Sequence, residues 1–356
     1  MHTYDLETLG WTSALSQAFA PHAAEGLVPA RVAAQHRGRF VLFTADGDLS
    51  AEATGRLHQQ GDRTLFPVTG DWVAVRPSSG VSLIEAVLPR RSAFTRSTGD
   101  ATRTDGHSEV QVLAANLDLL LVVTAADRDL NLRRLERYLA AAWQSGAKPA
   151  IVLTKLDLAE DPEGLVRQLQ EVAPGAEVLA VSNRTGDGVE DIRRRIPAGT
   201  TAALLGSSGV GKSSLVNRLL GEERQAVSEV SALGRGRHTT TARELLLLPQ
   251  GGLVLDTPGM RLFTPGDDAG LEAAFADVEL LAAECRFKDC GHGVEPGCAV
   301  QAAVRSGVLE RSRLEGYAKL HGELGHAADK ATQAPHQNRW KSTAKARGRD
   351  KRPGPD

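Results

Sequence analysis

The sequence has few cysteines, no long apolar run and almost no net charge. Its three cysteines all lie between positions 285 and 298, and an odd number in one cluster argues against a disulfide framework. No run of about 18 apolar residues occurs, so no membrane-spanning helix is predicted. A net charge of −2 gives no overall attraction to nucleic acid or membranes, so such affinity requires a local patch.

The amino-terminal residues, MHTYDLETLGW, also lack a basic segment followed by an apolar one. This is not the pattern of a signal peptide, and we expect a cytoplasmic protein. The 356 residues, 41% of them hydrophobic, predict two or three globular domains with ample core volume.

The stretch ALLGSSGVGKSSLVNRLL, residues 203–220, combines a short apolar run, a glycine-bearing loop and a helix. Such a P-loop brings backbone N–H groups close to phosphate oxygens, while Lys212 supplies a positive charge and Ser213 a hydroxyl for Mg²⁺. The following helix directs the positive end of its dipole at the same phosphates. The predicted nucleotide-binding residues here are Gly206, Ser207, Ser208, Gly209, Val210, Gly211, Lys212, Ser213 and Ser214.

A second motif, Thr154-Lys155-Leu156-Asp157, follows an apolar run typical of a buried strand. The Asp157 carboxylate can accept hydrogen bonds from the N1–H and 2-amino groups of guanine, and the Lys155 stem can cover the base. Adenine has neither donor, so this motif predicts GTP rather than ATP. After the next strand, Ser182 and Asn183 fit the loop whose backbone contacts guanine O6.

Two further segments predict contacts to Mg²⁺ and the γ phosphate. Asp256-Thr257-Pro258-Gly259 matches D-x-x-G, in which the Asp holds Mg²⁺ through water and the Gly amide contacts the γ phosphate. The stretch GRGRHTTT, residues 234–241, supplies a switch I threonine. We favour Thr240 and leave Thr239 and Thr241 open, so the predicted magnesium residues are Ser213, Thr240 and Asp256.

All five GTPase signatures are present in a permuted order: two base-binding motifs, P-loop, switch I, switch II. The domain is therefore predicted to be a circularly permuted α/β P-loop GTPase. Met260 follows D-x-x-G where many GTPases have the glutamine that orients water. We expect slow basal hydrolysis, with His238 as a candidate for the missing group; an ordinary exposed loop histidine is the alternative. The predicted catalytic residues are His238, Lys212 and Thr240.

The cysteine cluster has the spacing of a metal site. Cys285, Cys290, His292 and Cys298 offer three thiolates and one imidazole within 14 residues, a complete set for one tetrahedral Zn²⁺. With no open coordination position, the zinc is predicted to be structural. Buried cysteines beside a surface histidine are the alternative.

The remaining segments complete a multidomain organisation. Five short β-like runs predict a small barrel of OB or SH3-like type, whose residues Arg31, Arg37, Arg39 and Arg56 either contribute to nucleic-acid binding or are ordinary surface arginines. Residues 331–356 carry seven Lys or Arg against two Asp and are predicted to be disordered. The predicted segments are 1–29 extension, 30–90 barrel, 91–110 linker, 111–265 GTPase domain, 266–330 zinc-binding helical domain and 331–356 basic tail.

Taken together, the stretches GDWVAV, AANLD, TKLD, GSSGVGKSSL, GRGRHTTT, DTPGM and CRFKDCGHGVEPGCAV resemble the ribosome small-subunit-dependent GTPase A family, also called RsgA or YjeQ. The resemblance covers nearly the whole chain. It implies an N-terminal OB-fold, a permuted GTPase core and a C-terminal zinc domain. It further implies late maturation of the 30S subunit, contact with 16S rRNA and hydrolysis of GTP to GDP stimulated by that subunit. We expect a monomer with no membrane partner.

One residue departs from the general GTPase pattern, because Thr154 replaces the usual Asn. A hydroxyl cannot reproduce the paired donor and acceptor of an amide, so the contact to guanine N7 and the tie to the P-loop are open questions.

The leading hypothesis is a GTPase that assembles or checks the small ribosomal subunit. The alternative is a GTP-regulated RNA- or protein-binding module in which hydrolysis is incidental. Only the first requires that 30S subunits raise the rate of GTP turnover. A P-loop ATPase or kinase is disfavoured by Asp157.

Overall fold

The computed structural model describes residues 3–36, 38–59, 63–98, 109–127, 130–221, 243–256, 271, 274–287, 290–293 and 295–322. Within these ranges no helix is both long and apolar enough to cross a membrane. The chain forms an amino-terminal barrel, a central α/β sheet and a carboxyl-terminal helical module.

The amino-terminal part is a five-stranded barrel preceded by a helix. Its elements are α1 (Ser13–Ala24), β1 (Val28–His36), β2 (Arg39–Thr44), β3 (Gly47–Ala53), α2 (Gly55–Gln59), β4 (Trp72–Arg76) and β5 (Ser82–Val87). The strands pair in the order β1-β2-β3-β5-β4, and β4 pairs back to β1 to close the barrel. Inward positions alternate along β2, where Phe40 and Leu42 are buried. The parallel pairing of β3 with β5 and the helix between β3 and β4 agree with the OB type.

The central sheet confirms the predicted permuted α/β domain. Its elements are β8 (Leu119–Ala125), α3 (Leu132–Gln144), β9 (Lys148–Thr154), α4 (Pro162–Val172), β10 (Glu177–Ala180), α5 (Val189–Arg194), β11 (Thr201–Leu205), α6 (Lys212–Leu220), β12 (Glu244–Leu247) and β13 (Leu253–Asp256). The strand order is β10-β9-β8-β11-β13-β12. All neighbours are parallel except β12, which is antiparallel to β13.

Both faces of this sheet are covered by helices, which explains why its strands are apolar at successive positions. All seven residues of β8 are buried. Leu135 and Leu169, from α3 and α4, belong to the core on one face. Ile192 and Leu215, from α5 and α6, belong to the core on the other. Burial on both faces is what allows continuous apolar runs to form strands.

The predicted linker, residues 91–110, contains most of a two-stranded sheet. Strands β6 (Ala93–Thr98) and β7 (Glu109–Ala115) pair antiparallel. Although both strands are rich in polar residues, Phe94 of β6 and its cross-strand partner Ala114, together with Leu113, are buried in the hydrophobic core shared with β8.

The barrel and the GTPase domain form one continuous body. Strand β1 pairs with β12 at Ala34 and Glu244, so the barrel strands extend the GTPase sheet to eleven strands. Leu9 and Phe19 of the amino-terminal segment belong to the same hydrophobic cluster as Leu120 of β8. The amino-terminal segment therefore packs between the two domains.

Arg31 joins three segments at this junction. Its side chain is 1% exposed, and it donates hydrogen bonds to the carbonyl oxygens of Leu9 and Asn116. Its guanidinium carbon lies 5.5 Å from the centre of the Trp72 ring. Burial lowers the pKa of Arg31 to about 10. The prediction that Arg31 is available to nucleic acid is therefore wrong, because its side chain is buried inside the protein.

The other barrel arginines have partners on the barrel itself. Arg39 forms an ion pair with Glu52 at 3.2 Å, and Arg56 donates to the Glu85 carbonyl oxygen at 2.9 Å. Arg37 lies outside the described residues.

Gly70 contacts the chain that leads into the GTPase domain. Its φ is +92°, and an added Cβ would overlap the Ala115 carbonyl oxygen. The Asn116 side chain donates to the Gly70 carbonyl at 3.1 Å. Beside it, Asp71 is buried and accepts two hydrogen bonds of 2.7 Å from Arg90. The turn is thus held against the GTPase domain through both backbone and side chains.

We expect Gly70→Ala to lower the thermal midpoint of the barrel and GTPase body by about 10 °C, which corresponds to roughly 3 kcal/mol. Gly26→Ala is the matched control, because Gly26 has a similar φ of +75° but open space at its Cβ position. Its cost is the backbone strain alone, about 1 kcal/mol or 3 °C. Equal shifts in a thermal unfolding experiment would mean that the junction opens to accept a methyl group without cost.

The carboxyl-terminal module docks on α3 of the GTPase domain. It contains α7 (Ala276–Ala282), α8 (Ala299–Ser306) and a helix over 311–322. Its core, which includes Phe275 and Val300, also includes Ala140 of α3. The predicted helical character of this region is confirmed.

A buried network of ion pairs holds the carboxyl-terminal module against α3. Arg313 is paired with Glu136 of α3 at 3.1 Å, and their side chains are 6% and 7% exposed. Arg313 also pairs with Asp277 at 2.8 Å. Burial raises the pKa of Glu136, although the Arg313 charge opposes this shift. Removing one member of such a network leaves a buried charge uncompensated.

Candidate nucleotide and metal sites

The P-loop connects the end of β11 to the start of α6. Gly211, the residue before α6, has a φ of +94° that favours glycine. The Lys212 ammonium donates to the carbonyl oxygens of Gly206 and Ser207, the first at 2.8 Å. The Lys212 side chain therefore folds back over the P-loop, and its ammonium lies near the start of that loop. Its positive charge is there available to the phosphate oxygens of a nucleotide.

Asp256 and Ser213 come to the same edge of the sheet as the P-loop. Asp256 is the last residue of β13, which is the parallel neighbour of β11, and its side chain is 5% exposed. Ser213 lies in the first turn of α6. A carboxylate and a hydroxyl are ligands that suit Mg²⁺ beside nucleotide phosphates, so these two residues fit the ion.

Thr154 ends β9 and reaches the P-loop. Its hydroxyl donates to the Val210 carbonyl and lies 3.1 Å from the Thr124 carbonyl oxygen. The tie to the P-loop, an open question from the sequence, is therefore present with threonine at this position.

Asp157 lies beside the loop that follows β10. Its carboxylate accepts a hydrogen bond from the Ser182 hydroxyl at 2.7 Å and one from Arg184 Nε at 2.9 Å. The Ser182 hydrogen bond, followed by the backbone N–H of Asp157 and the nearby Arg184 charge, holds the pKa of Asp157 below its ordinary value against its partial burial. The carboxylate is thus ionised and able to accept the two donors of guanine.

Lys155 is positioned by backbone and charge. It adopts a left-handed φ of 57°, and its ammonium lies 2.7 Å from Asp127 at the end of β8. Asp127 was not among the residues predicted from the sequence; its position two residues after a buried strand, at the same edge as Lys155, was the available signal.

Asn183 connects the base-binding loop to the P-loop. Its side-chain Nδ2 donates to the Gly211 carbonyl at 3.0 Å. Arg218 of α6 donates to the backbone carbonyls of Asn183 and Arg184 at 2.7 and 2.9 Å. Arg184 and Arg218 were not among the predicted residues, because exposed arginines have no local pattern that distinguishes them.

Several predicted residues lie outside the described part of the chain. They are Gly259, Met260, His238, and the three threonines Thr239, Thr240 and Thr241, together with the tail 331–356. Their roles stay predictions.

The four predicted metal ligands form one cluster. The candidate ligand atoms of Cys285, Cys290, His292 and Cys298 all lie within 4.8 Å of one another. The Cys285 and Cys298 sulfurs are 3.9 Å apart and lie 3.6 and 3.7 Å from His292 Nδ1. Tetrahedral zinc bonds of about 2.0–2.3 Å place ligand atoms roughly 3.5–3.8 Å apart, so the cluster fits Zn²⁺ and not a disulfide.

The surroundings of Cys285 favour its thiolate, and further contacts hold the loop of His292. Burial raises the pKa of Cys285, but N–H groups of Val300 and Ala299 in the first turn of α8 outweigh it, and the pKa is lowered. Gln301 donates to the His292 carbonyl at 2.7 Å. Glu295 accepts from the backbone N–H groups of Gly291 and Gly293 at 3.1 and 2.7 Å. These contacts fix the loop around His292.

Known proteins are similar to this chain over most of its length. Residues 87–265 match the family model described as RsgA GTPase. The chain is 48% identical over 354 residues to "Small ribosomal subunit biogenesis GTPase RsgA" of Opitutus terrae, covering 94% of this chain and 95% of that one. It is also 48% identical over 327 residues to the protein of that name in Streptomyces coelicolor, covering 89% of this chain and 86% of that one.

Solved structures share the fold. The crystal structure of YjeQ from Thermotoga maritima is 27% identical, with a TM-score of 0.64 over 84% of this chain and 98% of that one. The structure of YloQ, described as a circularly permuted GTPase, has a TM-score of 0.59 over 84% of this chain and 96% of that one. At 24% identity, YloQ supports the fold alone.

Proposed function

Because this chain belongs to the RsgA family of circularly permuted GTPases, we propose that it binds GTP at the carboxyl edge of its central sheet and hydrolyses it during biogenesis of the small ribosomal subunit. One observation carries the proposal: the P-loop, the base-binding loops and Asp256 meet at one edge although the chain visits them in permuted order. Such convergence is the requirement for one nucleotide site.

The base is selected at Asp157. Its ionised carboxylate, oriented by the Ser182 hydroxyl at 2.7 Å, accepts from the N1–H and 2-amino groups of guanine. Arg184 donates to the other carboxylate oxygen, and bound guanine replaces that exposed contact. A nucleotide without these two donors leaves a partly buried carboxylate unsatisfied, which disfavours ATP.

The phosphates are held by the P-loop and α6. Lys212 exchanges its two carbonyl partners for phosphate oxygens when the nucleotide binds, and the backbone N–H groups of the loop donate to the same oxygens. Ser213 and Asp256, with Thr240 as the predicted third residue, would hold Mg²⁺. When bound, the ion neutralises charge on the β and γ phosphates.

Hydrolysis depends on completing this site with a partner. Met260 has no group that orients water, so turnover by the chain alone is slow. The partner is the 30S subunit, which the protein contacts in part through 16S rRNA. The protein acts in the cytoplasm as a monomer. Each chain holds one structural Zn²⁺. His238 supplies the missing catalytic group when the subunit is bound.

We expect purified 30S subunits to raise the rate of GTP hydrolysis by at least about a hundredfold, against a ceiling of roughly 10⁵-fold for partner-stimulated GTPases. His238→Ala should lose most of the stimulated rate and keep GTP binding, whereas Lys212→Ala should lose nucleotide function. The measurement is phosphate release with and without subunits, with ATP as the competing substrate.

Lys148→Ala is the matched control for Lys212→Ala. Lys148 is an exposed lysine at the first residue of β9, the end of the strand opposite to the nucleotide edge. Its loss should leave both rates unchanged. If subunits bind without accelerating hydrolysis, the chain is a GTP-regulated binding module instead. Equal turnover of ATP would contradict guanine selection at Asp157.

A further inference from the structure

Asn183 lies between the base-reading and phosphate-binding parts of the site. The preceding residue, Ser182, donates to Asp157 at 2.7 Å. The Asn183 amide itself donates to the Gly211 carbonyl of the P-loop at 3.0 Å, and its backbone carbonyl accepts from Arg218 at 2.7 Å. Both the main chain and the side chain of Asn183 are therefore held in place.

The orientation of this amide follows from its partner. Reversing it would place the Asn183 carbonyl oxygen against the Gly211 oxygen, two acceptors about 3 Å apart, so Nδ2 is the atom that faces the loop. Nδ2 carries a second hydrogen, for which the described residues provide no acceptor. Oδ1 is buried and also lacks a partner among them. Of these two groups, only the second Nδ2 hydrogen can be donated to an acceptor on a ligand, because Oδ1 is itself an acceptor.

Thr154 cannot make the contact that Asn183 offers. Its hydroxyl has one hydrogen, and the carbonyl oxygens of Val210 and Thr124 both lie within reach of it. An asparagine at position 154 would have two hydrogens, one for the P-loop and one for the base. In this chain Thr154 uses its single hydroxyl hydrogen in the contact with the P-loop, so it has no hydrogen left to donate to guanine N7.

The position of Asn183 relative to a bound guanine follows from Asp157. A guanine that binds Asp157 through N1–H and its 2-amino group presents O6 next to N1, toward the loop that begins with Ser182. N7 is the next acceptor along that edge. The Asn183 side chain extends from this loop to Gly211. Its amide therefore lies on the side of the site where guanine N7 would be placed.

We propose that the side-chain amide of Asn183 donates to guanine N7 while it braces the P-loop, and so takes over the role that the usual asparagine at position 154 has in other GTPases. The inference rests on the proposed GTP site and adds a specificity-determining residue to it. Thr154 keeps the hydrogen bond to the Val210 carbonyl of the P-loop. Thr154 and Asn183 together thus make the two contacts that one asparagine makes in other GTPases.

The test compares GTP with 7-deaza-GTP, in which a C–H group replaces N7. Wild-type protein should bind 7-deaza-GTP about tenfold more weakly, the loss expected for one hydrogen bond. Asn183→Ala should bind GTP about tenfold more weakly than wild type, and its affinities for GTP and 7-deaza-GTP should be equal. The double variant Thr154→Asn with Asn183→Ala should regain the preference for GTP. Dissociation constants from calorimetry provide the readout.

Asn131→Ala is the matched control. Asn131 caps α3 through a 3.0 Å hydrogen bond to the Arg134 N–H, so its loss removes an asparagine amide without affecting N7 discrimination. If Asn183→Ala weakens both nucleotides equally and keeps the tenfold preference, the residue is only a brace for the P-loop. If wild type binds GTP tightly without preferring it to 7-deaza-GTP, this inference fails and the proposed function stands. Failure of wild type to bind GTP at all would overturn both.

Discussion

Asp157→Asn is expected to weaken GTP binding by about a hundredfold or more and to improve binding of xanthosine triphosphate. Asparagine cannot accept both donors of guanine, so one base donor loses its acceptor on binding. Xanthine has an oxygen where guanine has its 2-amino group, and the asparagine amide can donate to that oxygen. Dissociation constants measured by calorimetry for GTP and for xanthosine triphosphate give the change in preference between the two nucleotides.

Asp161→Asn controls for loss of a carboxylate nearby. Asp161 caps α4 by accepting from the Gly164 N–H at 2.9 Å, and asparagine caps helices about equally well. This variant should keep the affinities of wild type for both nucleotides. Unchanged GTP affinity in Asp157→Asn would remove Asp157 from the base site and leave Ser182 and Asn183 without a base to contact.

His292→Ala is expected to remove zinc from the carboxyl-terminal module and to unfold much of it. Three cysteine ligands would remain, with no fourth cysteine in the chain to replace the imidazole. A structural zinc contributes folding free energy directly, on the order of 10 kcal/mol in small zinc modules. Elemental analysis should show the loss of about one zinc per chain, and limited proteolysis should then cut within residues 274–322. Nucleotide binding should persist, because the site lies on other elements.

His321→Ala is the matched control within the same module. His321 is exposed and contacts the Tyr317 ring, with centroids 5.8 Å apart, and it is not part of the cluster. It should retain zinc and resist proteolysis like wild type. Absence of zinc from wild-type protein purified without chelators would contradict the assignment, as would full protease resistance of zinc-free His292→Ala.

The motifs were predictable from the sequence because their chemistry constrains short stretches of chain. A P-loop requires glycines, lysine and serine at fixed spacing, and its place between β11 and α6 is confirmed. The cysteine cluster was predictable for the same reason, since four ligands within 14 residues can meet without distant partners. Short apolar runs likewise predicted the parallel strands β9 and β11.

Relations between distant segments were not predictable, because no local pattern encodes them. Arg31 looks like a surface arginine in sequence, and only its contacts with Leu9 and Asn116 explain its burial. The docking of Arg313 on Glu136 joins residues 177 positions apart. The hairpin of β6 and β7 was missed because its polar residues outnumber the buried ones. Asn183 was predicted through its backbone, whereas the contact of its side chain with Gly211 is a tertiary feature.

The pairing of β1 with β12 makes the barrel a cover for an open sheet edge. Strand β12 ends the GTPase sheet, and Glu244 is the cross-strand partner of both Asp256 and Ala34. Two strand spacings, about 10 Å, therefore separate the barrel from Asp256, the residue proposed to hold Mg²⁺. Without the barrel, the Glu244 end of β12 would present unpaired backbone groups on its outer side, the kind of edge that recruits other chains and aggregates. The catalytic unit of this protein is consequently the barrel and the GTPase domain together, and a GTPase domain cut free of its barrel is an unsuitable reference for the kinetics of the whole chain.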